Sequence, residues 1–519
     1  MKRTKKVIAS MLSVAMIASM AACTVSADAS DFDGTLNVGI PGDPADLGPF
    51  STMSVGRMYT LETVYEYLGC FEEMGGDYVG WLASDIEVSD DALTVVVTIY
   101  DYITDAAGNN ITSSDVKWVF DSAIEANCSI QLGYVDSVDI IDDYTVQFNM
   151  NSAIVNGWQN VLSSVPIISQ ATYEANEDTF AVAPITTSAY TVTDFIAGST
   201  LSLELRDDYW QTDDSLNPVK HNVDAIEFDV IADSSQMAIA LETGAIEVAE
   251  GMSTSEVERF MEGGESSEGY TTFNALGTMV YSLLFNCSDE NGVFAGNDTL
   301  RQAIAYAIDV DAILEGILNG GGVKCTTWGG YEADDFNPDW VDSYYEYDVE
   351  KAQELLTEAG YSAGELTLRM EFTSDSILSS IGEMIQAYLG AIGVNVELNS
   401  VDSGLFDSTK YDDTEWDLLL DTIGGENLAL LSKSYNSVDK SYLNISFAND
   451  STLQELAETI VNSSTHTEEI CQEWVEYMNE KLYAYGLFNV YSYVATKDFV
   501  TDVTFTTRAA LYPGDTVIG

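Results

Sequence analysis

Only two histidines, His221 and His466, occur in 519 residues. That scarcity excludes a histidine-rich metal centre. A Ser–His–Asp hydrolase would have to be built on one of these two, each in a polar turn. Basic residues are also few: 19 Lys plus Arg stand against 85 Asp plus Glu, a formal charge of −66. Such a chain repels nucleic acid and anionic lipid. The charge has two readings, a solvated acidic coat that aids solubility or steering of cationic solutes. The six cysteines are scattered and contain no CxxC pair, which argues against both a zinc site and a disulfide framework. With eight prolines, no Pro-rich hinge announces a domain boundary. No second apolar run of membrane-spanning length follows the N-terminal segment. Strings for a nucleophile elbow, a zinc protease helix, a phosphate loop or a calcium loop are missing too.

What is present is a large apolar content, 46% of residues, enough for a sizeable core and, by length, two to four domains. The N-terminus opens with basic Lys2, Arg3, Lys5 and Lys6, then the apolar stretch Val7–Ala22. This reads as a secretory signal. Met20-Ala21-Ala22-Cys23 resembles a bacterial lipobox, with Met20 where Leu is usual. The expectation is a signal peptide over 1–22, lipid on Cys23, and a polar tether over 23–33, placing the chain outside the cytoplasm on a membrane anchor. Ordinary cleavage after Ala27 is the alternative. Cleavage before Cys23 leaves 15 basic against 85 acidic residues, a formal charge of −70.

Strand-like runs recur at Thr35–Ile40, Leu93–Ile99, Tyr144–Met150, Thr200–Leu205, Ala225–Ile231, Leu366–Phe372 and Val394–Asn399, by β-branched content or period-two alternation. Helical patterns lie between them. Asp348 is placed to cap Val349–Ala359, with Gly360 as its stop; Asp298 to cap Thr299–Ala307; Asp309 to open the next helix; and Ile377–Leu389 is amphipathic. Alternating helices and strands predict an α/β fold.

Several segments in order resemble one family. They include GTLNVGIPGDPADLGPF (34–50), VYEYL (64–68), WLASDIEVSDDA (81–92), ITSSDVKWVF (111–120, with Ser113 or Ser114 as helix cap), PITTSAYTV (184–192) with LSLELRDDYW (201–210), ALETGAIE (240–247), LFN (284–286) with LRQAIAYAID (300–309), and the pair 348–361 and 392–398. Together they are similar to the extracellular solute-binding proteins of family 5, which serve oligopeptide, dipeptide and nickel ABC importers. The resemblance implies a periplasmic-binding-protein-like type II fold, two lobes with an extra subdomain inserted in the first. It places lobe 1 at 31–65, 185–272 and 488–519, the insert at 66–184, and lobe 2 at 273–487.

The same resemblance implies a binding protein, not an enzyme, with no cofactor. It would be a monomer that takes a small peptide or related solute between its lobes and delivers it to permease subunits in the membrane. Glu426, after the strand-like WDLLLD (416–421), falls where peptide-binding members carry the carboxylate for the ligand's amino group; a solvated loop Glu is the other reading. Thr373–Ser380 lacks the Arg of dipeptide-binding members, and nearby Arg369 belongs to a strand, so a longer peptide is expected. Arg57, conspicuous because basic residues are rare, is a cleft candidate or a partner of surface carboxylates. Trp328 and Tyr331 are candidate aromatic walls, and Tyr281 and Asn286 candidate cleft residues on the strand entering lobe 2. A carboxylate-pair hydrolase, or a surface adhesin or chaperone on the same fold, are the alternative functions.

Overall fold

The computed structural model describes residues 32–519 apart from 73–75, 154–156, 326, 328–335, 338–339, 341–343, 375, 425–427, 434–444 and 463–467. Thr35–Ile40 is the natural starting strand: Leu36, Val38 and Ile40 are fully buried. It runs parallel to Ala225–Val230 on one side and to Val248–Met252 on the other. The helix Ser234–Thr243 carries the chain between those two neighbours. Asp233 caps that helix by accepting the Gln236 N–H at 2.9 Å, and Gly244, with φ 71°, supplies the left-handed stop. Thr200–Leu205 and Tyr190–Ile196 extend the sheet antiparallel beyond Ala225–Val230.

Two long strands carry this sheet across the molecule. Tyr270–Phe285 has 16 residues, a span of about 50 Å. It pairs antiparallel with Ala484–Lys497, which also borders Val248–Met252. Near its C-terminal end Tyr270–Phe285 meets Leu418–Gly424, beyond which lie Thr367–Thr373 and Asn395–Val401 in parallel. The ladder between the two long strands breaks between Leu276 and Val280. Asn489, fully buried, repairs the break: its Nδ2 donates to the carbonyls of Gly277 at 2.9 Å and Met279 at 3.3 Å. A buried carbonyl without a donor costs free energy, so this side chain holds an irregularity that a regular ladder would not need. Gly322–Lys324 adds a short strand at the same place, and a Cβ on Gly322 would strike the Asn489 carbonyl.

A second, four-stranded antiparallel sheet is formed by Ala83–Val88, Thr94–Ile99, Thr145–Met150 and Val135–Asp142, in that order. The helix Ser113–Ala126 packs on it, with Phe120 edge-on to Phe148 at 4.8 Å. Its cap is Thr112, one residue before Ser113 and two before Ser114, the expected serines. The Asp115 carboxylate accepts the Thr112 N–H at 2.9 Å in a capping box, while the Ser113 hydroxyl donates to the Asp142 carbonyl. Asn297, not Asp298, caps the helix Asp298–Tyr306, which frees the Asp298 carboxylate to pair with Arg301 and Lys481. The expected caps Asp348 and Asp309 are found, each accepting a helix N–H at about 3 Å.

Candidate ligand-binding cavity

A cavity of about 1340 Å³ opens beside the break in the long strands. Leu276, Gly277 and Met279 of one strand and Val490, Tyr491 and Ser492 of the other line it. The loop after Thr35–Ile40 forms a second wall. It leads to Ser54, which caps the helix Val55–Val64 by accepting the Arg57 N–H. Arg57 is only 2% exposed. Its Nη1 donates to the Asp46 carbonyl at 2.7 Å and pairs with the Asp46 carboxylate at 3.1 Å, and its Nη2 donates to the Gly48 carbonyl at 2.6 Å. The Tyr65 hydroxyl donates to the neighbouring Leu47 carbonyl. These bonds fix a loop that has no regular structure of its own. Arg57 thus reaches the cavity, with its guanidinium engaged in shaping that wall.

The hairpin Gly69–Phe71 with Tyr78–Gly80 makes a third wall. Phe71 stands edge-on to Tyr78, and Tyr78 edge-on to Trp158, both with ring centroids 5.1 Å apart. The fourth wall is the C-terminal turn, closed by the Phe505–Leu511 bridge and the Thr506–Ala510 hydrogen bond, with Ala509 at φ 55°. Arg508 at its tip donates from Nη1 to Glu62 Oε1 at 2.5 Å, an ion pair at the cavity surface. Burial pushes the Glu62 carboxyl upward, and Arg508 pulls it back. The turn is held from behind by Glu250, whose fully buried carboxyl accepts the Leu511 N–H. Burial keeps the Glu250 carboxyl well above its usual range, with only the Leu511 N–H opposing. The Tyr59 hydroxyl is likewise pushed up, by burial and then by the nearby Glu250.

Tyr281 and Asn286 are placed elsewhere. Tyr281 is not among the cavity's lining residues; its ring stacks on Phe488 at 5.2 Å. Asn286 is fully buried and likewise off the lining. Its Nδ2 donates to the Asp413 and Trp416 carbonyls at 2.8 and 2.7 Å, and its Oδ1 accepts the Ser288 N–H. Glu426, Trp328, Tyr331 and Cys23 lie outside the described residues. Arg369 pairs with Asp417 through Nε and Nη2, at 3.1 and 3.0 Å. The cavity residues that sequence reasoning passed over are Glu62, Arg508 and the methionine and aromatic side chains. Only Arg508 carried a signal, the same rarity of basic residues that marked Arg57.

Among known proteins, the family model described as bacterial extracellular solute-binding proteins, family 5 Middle, matches residues 77–441. The di/tripeptide-binding protein 1 of Pseudomonas aeruginosa is 23% identical over 422 residues, 74% of this chain and 75% of that one. The ABC transporter substrate-binding protein CtaP of Listeria monocytogenes superposes with a TM-score of 0.79 at 21% identity, covering 93% of this chain and 99% of that one. The oligopeptide-binding protein AppA of Bacillus subtilis, solved with a nonapeptide, gives a TM-score of 0.72 at 16% identity, again covering 93% and 99%. The fold is therefore the two-lobe type II periplasmic-binding fold.

Proposed function

Because the chain belongs to the bacterial extracellular solute-binding proteins, family 5, we propose that it is the capture subunit of an ABC importer, closing on a peptide of oligopeptide length and passing it intact to a membrane permease. The observation that carries this reading is the cavity beside the strand break. At about 1340 Å³ it exceeds the roughly 300–1,000 Å³ of sites for drug-sized ligands. That space has room for a longer peptide. The bidentate bond of Arg369 to Asp417 supports the same preference, since that guanidinium is committed within the fold. The name of the Pseudomonas relative points to shorter peptides, and the Bacillus structure to a longer one.

The lobes in this proposal are 31–65, 185–272 and 488–519 for the first, with 66–184 inserted, and 273–487 for the second. The long strands that join them act as the hinge. Ligand contacts made to both lobes only when they close shift the population to the closed form, whose shape the permease reads. Glu426 is proposed to meet the peptide's ammonium group, with Trp328 and Tyr331 as further walls. Cys23 is proposed to carry the lipid that keeps the protein at the membrane, and Cys23→Ala would release the chain into the medium.

A thermal-shift screen of the mature chain against peptides, sugars and polyamines tests the class. Stabilisation by peptides of four or more residues supports the reading. Stabilisation by a sugar or polyamine, with none by peptides, replaces it.

A further inference from the structure

The cavity is unusually rich in sulfur. Four of the 15 methionines and two of the six cysteines line it, although its lining is less than a tenth of the chain's residues. Met53 and Met279 are 46% and 45% exposed. Met58 is partly exposed and Met252 is buried. Methionine is unbranched and polarisable, so it repacks around bulky groups and makes favourable sulfur–ring contacts.

Opposite in character is the hairpin wall. Phe71 stands edge-on to Tyr78 in the lining, Trp158, itself off the lining, packs edge-on to Tyr78, and Trp81 stands edge-on to Tyr512 at 6.3 Å. Rings packed in this way hold their positions and present a fixed apolar surface. Cys70 and Cys128 add to it. Burial pushes both thiols upward, so they stay protonated and behave as small hydrophobes, not as thiolate ligands for a soft metal.

Charge on the lining argues against an anionic side chain. The Arg57 guanidinium is engaged by the loop 46–51, and Glu62 pairs with Arg508. Glu72 and Asp77, both exposed, flank the hairpin wall, so an anionic side chain arriving there meets carboxylates.

We propose that, within the peptide class, this cavity selects solutes with bulky uncharged side chains, aromatic or thioether, seated on the ring wall and enclosed by the unbranched methionine side chains. The proposal rests on the peptide reading above.

The test is titration calorimetry with the pentapeptides Ala-Ala-X-Ala-Ala, X being Phe, Met, Ser, Lys or Asp. It uses the wild type and the double variant Met53→Ser/Met279→Ser, both at exposed positions and checked for cooperative melting. The Phe and Met peptides are expected to bind about tenfold tighter than the Ser peptide, the ratio that burying one large apolar side chain produces. The Asp peptide binds weakest. The double variant brings the Phe-to-Ser ratio down to about threefold. Equal affinities across the series, or a preference for Lys or Asp, overturn the selection and leave the peptide reading standing. If no pentapeptide binds a cooperatively melting wild type, the peptide reading fails and the selection falls with it.

Discussion

Replacing Glu66 by Gln removes one ionisable group from the interior while keeping its shape. Glu66 is 1% exposed, and its two oxygens accept from the Tyr209 hydroxyl at 2.5 Å and the Trp210 indole N–H at 2.9 Å. Burial pushes its carboxyl from 4.5 up to about 7, against the pull of those hydrogen bonds. Because the folded value is raised, the stability it contributes is fully present below pH 4.5 and is lost as pH rises through about 7. The whole change amounts to about 3 kcal/mol. Gln imitates the protonated acid, its oxygen accepting from Trp210 and its amide donating to the Tyr209 oxygen. Urea unfolding of both proteins between pH 4.5 and 8.5 reads the difference. The wild type should lose about 3 kcal/mol relative to Glu66→Gln across that range. Comparison with the variant is essential, because 85 acidic residues tilt any single profile. Parallel curves, differing by less than about 0.5 kcal/mol throughout, would refute the burial argument.

His221 works in the opposite sense. It lies between the rings of Tyr190 and Tyr209, and burial pushes it from 6.5 down to about 4, so the stability it contributes above pH 6.5 drains away as pH falls towards 4. His221→Phe should flatten the acid limb of the unfolding profile, and an unchanged limb would count against a neutral, partly buried ring. Asn489→Ala leaves the Gly277 and Met279 carbonyls without their donor and should cost about 2–4 kcal/mol by denaturant unfolding. Arg57→Met should free the loop 46–51 and weaken peptide binding about tenfold or more in calorimetry, with the far-UV spectrum unchanged.

The regular elements were legible because their signals are local. Thr35–Ile40 alternates, and Asp348 and Asp309 sit at helix starts where a side-chain oxygen meets free N–H groups. The caps that moved did so by one or two residues. Asn297 and Thr112 compete with acceptable neighbours, and tertiary partners decide: Arg301 and Lys481 claim Asp298, and the Asp142 carbonyl claims Ser113. The cavity was legible only in part. Met53, Tyr78, Met279, Tyr491 and Arg508 come together from five distant segments, and no spacing in the chain records that. Arg57 was visible because cations are rare, although its role in pinning a loop needed coordinates. Asn286 and Asn489 show the same limit: one follows the end of Tyr270–Phe285 and the other lies within Ala484–Lys497, and only the ladder break makes Asn489 the repair.

The central claim is capture without chemistry. The most direct measurement incubates the mature protein with a defined pentapeptide at stoichiometric concentration, follows binding by calorimetry, and recovers the peptide for mass spectrometry. The account predicts one peptide bound per chain and the same peptide, at full mass, released on denaturation. Shortened fragments, or no heat of binding from a folded protein, would contradict it.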